Sequence, residues 1–99
     1  MNEKSITNAI MRYLKTLPNC FSFKEHGGMY GHAGLPDIMC CIGGRFVAFE
    51  VKTPGGRTTG LQEATLYRIR NAGGAAHVVR SLDEAKTALR ELKGGSAHE

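Results

Sequence analysis

Two adjacent glycines, Gly43 and Gly44, separate two short apolar runs, Ile38 to Ile42 and Phe46 to Val51. Runs rich in Val, Ile and Phe on either side of a Gly-Gly pair predict a β-hairpin. Both glycines tolerate the positive φ that a type I′ turn demands. A two-residue turn at 43–44 sets the strand register by arithmetic. Ile42 faces Arg45, Cys40 faces Val47, Ile38 faces Phe49, and Asp37 faces Glu50. Residues directly opposite in an antiparallel pair share a face, with Cβ atoms about 4.5–5.5 Å apart. Side chains alternate along a strand, so Lys52 emerges on the face of Glu50. Phe49 and Val51 point the other way, into a core.

That register is costly. Two carboxylates about 5 Å apart repel by roughly 3 kcal/mol at an effective dielectric near 20. One acid can take a proton, Lys52 can neutralise the pair, or a divalent cation can bridge it. A solvated sheet edge, where water screens the repulsion, is the bland alternative. The hairpin by itself leaves all four open.

The chain has 99 residues, which sets one domain as the expectation, residues 1–93, followed by a flexible C-terminal tail over 94–99. No apolar stretch approaches the length of a membrane span. Glu3, Lys4, Asn8 and Arg12 interrupt the N-terminal segment, so it does not read as a signal peptide. The expected location is the cytoplasm. Cys20, Cys40 and Cys41 are read as small, mostly buried hydrophobes. A zinc site from Cys20, His26, His32 and one of Cys40 or Cys41 lacks the paired spacing that such sites show. Thirteen Lys plus Arg against nine Asp plus Glu give a net charge of +4, which is compatible with a polyanionic partner.

Around the hairpin, Ile6, Ala9, Ile10, Tyr13 and Leu14 form one apolar stripe and predict a helix over 4–16, stopped by Pro18 and Asn19. Cys20 to Lys24 alternates Phe21 and Phe23 with Ser22 and Lys24, the pattern of a strand. A glycine-rich loop with His26 and His32 leads into Pro36 and Asp37, and Pro36 suits the first position of a strand. Thr59 is a candidate N-cap for a helix from Leu61 to Asn71, closed by Gly73 and Gly74. Ala75 to Val79 predicts a strand. Ser81 predicts the cap of a last helix, with Glu84 completing a capping box. The order is α-β-β-β-α-β-α: an α/β fold with a small mixed sheet flanked by helices.

Pro36-Asp37, twelve intervening residues and Glu50-Val51-Lys52 match the PD-(D/E)XK nuclease signature. Gly34-Leu35-Pro36-Asp37, Glu50-Val51-Lys52-Thr53-Pro54-Gly55-Gly56-Arg57, Leu61-Gln62 and the head of the first helix, Glu3-x-x-Ile6, resemble the VRR-NUC branch of that superfamily. The likeness is to its short stand-alone members of phages and bacteria. The resemblance implies a restriction-endonuclease-like core. It also implies that Asp37, Glu50 and the backbone carbonyl of Val51 bind Mg²⁺ or Mn²⁺. Lys52 would orient or deprotonate the attacking water, and Gln62 would position Lys52 or that water. Glu3 would hold a metal-bound water or a second metal, with Glu25 as a rival acid.

The implied activity is a metal-dependent, structure-selective DNA endonuclease that leaves 5′-phosphate and 3′-hydroxyl ends. The implied partners are branched DNA, such as a four-way junction, and a second copy of the chain. Lys24, His26, His32 and Arg57, with Arg45, Arg68 and Arg70, are candidate contacts to phosphates, which carry shape rather than base sequence. A non-catalytic nucleic-acid-binding module on the same fold is the alternative. The full set of Asp37, Glu50 and Lys52 argues for the enzyme.

Overall fold

The computed structural model describes residues 1–25 and 33–96. The order of elements is α1 (Glu3–Leu14), β1 (Cys20–Lys24), β2 (Ile38–Ile42), β3 (Arg45–Val51), α2 (Gly60–Asn71), β4 (Ala75–Val79) and α3 (Leu82–Ser96). This is the order expected from the sequence. His26 and His32 lie outside the described residues.

The α1 helix starts at Asn2, whose side chain accepts from the Ser5 N–H at 2.8 Å. Its stripe of Ile6, Ile10 and Leu14 is fully buried. It stops at Leu14 rather than at residue 16, where the N–H groups of Thr16 and Leu17 donate three residues back, to Tyr13 at 3.0 Å and Leu14 at 3.1 Å, and the last turn tightens. The chain then reverses through Asn19, which takes a positive φ of 56°. Asn is one of the few side chains that tolerates that region.

The sheet runs β1-β2-β3-β4, antiparallel across its first three strands and parallel between β3 and β4. Gly43 and Gly44 take φ of 56° and 83°, so the turn is the two-residue one, and Ile42 pairs with Arg45 and Ile38 with Phe49. The connection from β3 to β4 passes through α2, as a parallel pair requires.

Each face of the sheet has its own core. Ile38, Cys40, Val47, Phe49, Val51 and Val79 pack under α1 and α3, against Ile6, Ile10, Leu14, Ala85 and Leu89. On the opposite face Ala48 and Ala76 pack under Leu66 of α2. Small residues there let α2 approach the sheet closely. At Gly74 a Cβ would lie 2.9 Å from the Ile69 side chain and 3.1 Å from the Phe46 ring.

Three local readings change. Cys40 is buried and burial pushes its thiol up to about 12, but Cys41 is exposed, because its face of β2 lies beyond the reach of α2. The Ser81 hydroxyl caps α3 by accepting from the Glu84 N–H at 3.1 Å, whereas the Glu84 carboxylate accepts from Arg80 N–H at 2.8 Å, one residue before the expected partner. The α3 helix also continues to Ser96, into the segment expected to be a tail. Each residue added to an existing helix gains a hydrogen bond without a new nucleation cost.

Candidate active site

The site lies at the ends of β2 and β3 on the face shared with α2. Asp37 reaches it from a loop pressed against the head of α2. Gly34 has φ of 84°, and a Cβ on it would stand 2.7 Å from the Leu61 Cγ and 3.0 Å from the Leu61 carbonyl oxygen. Only glycine meets both demands without displacement. The Asp37 carbonyl accepts from the Glu25 N–H at 2.8 Å, and its Oδ2 accepts from the Val51 N–H at 2.8 Å. The side chain of Asp37 therefore takes the place of a ladder carbonyl beside β3.

This substitution bears on the Val51 carbonyl. Lys52 N–H donates to the Val79 carbonyl across the parallel pair, so Val51 directs its own backbone groups towards β2. Continuing the β2–β3 register from Ile38 and Phe49 by two residues brings Pro36 opposite Val51. Proline has no N–H to donate. No ladder donor from that position of β2 answers the Val51 carbonyl.

Glu50 follows Asp37 in the same register and is 2 % exposed. Its Oε2 accepts from the Gln62 side-chain amide at 3.2 Å and lies 3.7 Å from the Lys52 ammonium. Its Oε1 is buried without a hydrogen-bond partner. Burial pushes the Glu50 carboxyl up to about 8; the Asp37 carboxylate pushes the same way, Lys52 opposes it, and Glu3 adds the smallest push. The exposed Glu3, on the first turn of α1, is thus within electrostatic range of the pair. Lys52 is itself buried, 9 % exposed.

Gln62 has two duties. Its Oε1 accepts from the Thr59 N–H at 2.9 Å, and its own N–H donates to the Thr59 hydroxyl at 3.1 Å, which is a capping box with glutamine at its third position. Its amide nitrogen is then turned towards Glu50. The amide orientation follows from the network, because only nitrogen can donate to a carboxylate.

These contacts bear on cation binding. Among the described residues no three His, Cys, Asp or Glu side chains are gathered as a metal cage. Mg²⁺ needs no such cage, since it keeps several waters and takes one or two carboxylates. Two adjacent carboxylates, a buried oxygen on Glu50 without a partner and the Val51 carbonyl are a hard-oxygen set that fits it.

Solved structures that resemble this chain include two VRR_NUC domains. One, a VRR_NUC domain, superposes with a TM-score of 0.74 at 20% identity, over 89% of this chain and 94% of its own. The other, a VRR_NUC domain protein, superposes with a TM-score of 0.75 at 19% identity, over 91% of this chain and 86% of its own. This chain has the VRR-NUC fold. No family model matches its sequence, and no curated protein does. The shared property is the backbone path, on which Asp37, Glu50, Lys52 and Gln62 of this chain converge.

Other residues on this VRR-NUC fold separate into near and far. Arg57 is exposed on the loop that follows Lys52. Lys24 pairs with Ile38 and so lies on the α1 side of the sheet, where its ammonium donates to Asn8 at 3.3 Å. It points away from the acid pair. Arg45 is at the turn end of the hairpin, opposite Ile42. Arg70 donates through Nε to the Ala76 carbonyl at 2.9 Å, and Arg68 is exposed on α2.

Arg80 is a residue that local sequence patterns did not single out. Its Nη1 donates to the carbonyls of Thr53 at 2.6 Å and Gly56 at 2.7 Å, holding the turn that leaves Lys52. The clue is the parallel register: Val51 pairs with Val79, so Arg80 follows β4 where Lys52 follows β3.

Proposed function

We propose that this chain is a Mg²⁺- or Mn²⁺-dependent DNA endonuclease that acts on branched DNA as a homodimer, leaving 5′-phosphate and 3′-hydroxyl ends. The observation that carries the reading is the buried Glu50 carboxylate, with one oxygen unanswered, beside Asp37 and Lys52. A buried carboxyl facing a second carboxyl is poorly suited to stabilising a fold and well suited to a cation. The VRR-NUC fold supports DNA as the substrate, and the resemblance to stand-alone members supports the branched structure and the dimer.

In this reading Asp37, Glu50 and the Val51 carbonyl would hold the ion, and Glu3 would hold one of its waters or a second ion. The chemistry that a bound ion supplies is polarisation of the scissile phosphate and acidification of a water. Lys52 orients that water and offsets the negative charge that grows on the phosphate. Gln62 keeps the Glu50 carboxylate turned towards the site. Arg80 holds the loop that presents Arg57 to the phosphate backbone.

The test is a labelled four-way junction and a linear duplex of matched sequence, each incubated with Mg²⁺ or with EDTA. The expected result is Mg²⁺-dependent nicking of the junction ahead of the duplex, with 5′-phosphate ends. Metal-independent binding without any cleavage would overturn the catalytic reading and leave a nucleic-acid-binding module.

A further inference from the structure

Among the described residues, the face that carries Asp37, Glu50 and Lys52 is half roofed. The α2 helix covers Ala48 and Ala76 on β3 and β4. The same face of β1 and β2 extends beyond it. Strand pairing sets Phe21, Cys41 and Phe46 in one row across three strands, and Phe23, Met39 and Ala48 in the next. Continuing the register, the row after that holds Glu25, Asp37 and Glu50. Successive rows on one face are two residues apart, about 7 Å. Phe23 therefore stands about one row from the acids and Phe21 about two.

The polarity of β1 is inverted. Ser22 is buried, while Phe21 is 70 % exposed and Phe23 45 %. Phe46, at the other end of the row, is 41 % exposed. The Phe21 and Phe23 rings stand 6.0 Å apart. One flank of α2 walls this floor: Leu61 and Thr65 lie against Gly34, and the exposed Arg68 follows Thr65 by three residues on the same flank.

An aromatic floor with a cation along its wall and a carboxylate pair at its end suits a ligand with flat apolar faces and a phosphate backbone. Bases splayed from a strand stack on such sheets, and stacking tolerates any base. We propose that Phe21, Phe23 and Phe46 are a stacking floor for unpaired bases beside the cleaved phosphate, so that the preferred substrate carries single-stranded nucleotides next to a duplex. The proposal rests on the nuclease reading and names the substrate class of that site. A strand with its phosphate at Asp37 and Glu50 would run its neighbouring bases over Phe23 and then Phe21.

The test measures binding in EDTA, by fluorescence anisotropy, to three probes. These are a blunt duplex, the same duplex with a short single-stranded overhang, and that duplex with an abasic overhang. The parent should bind the base-bearing overhang most tightly. Phe21→Leu and Phe23→Leu keep an apolar side chain but lose the flat ring. Each should weaken binding to the base-bearing overhang by about tenfold, the loss disappearing when the overhang is abasic. Phe21→Tyr should retain the parent's affinity.

Equal binding of base-bearing and abasic overhangs by the parent would overturn the proposal. So would equal weakening of all three probes by the leucine variants. Light scattering that shows Phe21→Leu turning a dimer into a monomer without DNA would reassign the floor to contact between copies. A parent that discriminates bases but never cleaves with Mg²⁺ removes the nuclease reading and leaves the floor. A parent that cleaves without discriminating bases removes the floor alone.

Discussion

The two faces of β3 are buried alike and built for opposite ends. Towards α1 and α3 the strand presents Val47, Phe49 and Val51, all within a closed apolar core. Towards α2 it presents Ala48, Glu50 and Lys52, and these are also buried. Burial of the first set contributes stability in proportion to its apolar area. Burial of the second takes charge out of water and leaves one Glu50 oxygen unanswered. One strand thus carries the fold on one side and the chemistry on the other, and alternation keeps the two separate.

Substitutions on the two faces should break this contrast apart. Phe49→Ala removes the largest fully buried side chain and should cost about 3–5 kcal/mol in denaturant unfolding, with junction binding unaffected wherever the protein remains folded. A cost below 1 kcal/mol would mean that the apolar face does not carry the fold. Lys52→Ala should slow cleavage by about 100- to 1,000-fold while leaving junction affinity within several-fold. Cleavage at the parent's rate would remove Lys52 from the mechanism.

The pH response of the metal-free protein sharpens the comparison further. The Glu50 carboxyl is raised from 4.5 to about 8 in the fold. The native state therefore holds a proton that the unfolded chain has released. The contribution is fully present below 4.5 and is lost as pH rises through about 8. Thermal unfolding in EDTA should show Tm falling across that window. Glu50→Gln should flatten the fall and unfold at a higher temperature than the parent at pH 9. An unchanged slope in Glu50→Gln would assign the titration to another group. The smallest effect belongs to Gln62→Ala, which removes a cap contact and should cost about 1 kcal/mol of stability. In the same variant cleavage should fall, because Glu50 loses its amide donor; full activity with reduced stability would make Gln62 a cap alone.

Much of this arrangement is legible in the sequence. A turn centred on the Gly43-Gly44 pair, of two residues or of four, gives the pairing of Ile38 with Phe49 and the approach of Asp37 to Glu50 by counting. Gln62 was in view from its distance past Lys52, though its bond to Glu50 needed the packing of α2 on the sheet. What stayed hidden depends on which surfaces are covered. Alternation in Cys20–Lys24 divides the strand into two faces without saying which is roofed, so neither the buried Ser22 nor the exposed Phe21 could be assigned. The same gap put Cys41 inside and left Lys24 free to face the site. Arg80 was missed because its partners, Thr53 and Gly56, are distant in sequence and meet it only through the parallel register of β3 and β4.

Pro36 acts by what it withholds. Any other residue at that position would offer an N–H towards the carbonyl of Val51 and could zip the two strands together for one more rung. Pro36→Ala would therefore install an intramolecular competitor for the oxygen that the cation is proposed to use. A tighter hairpin would then come with a weaker metal site, a trade visible as higher thermal stability in EDTA and lower Mg²⁺ affinity in calorimetry.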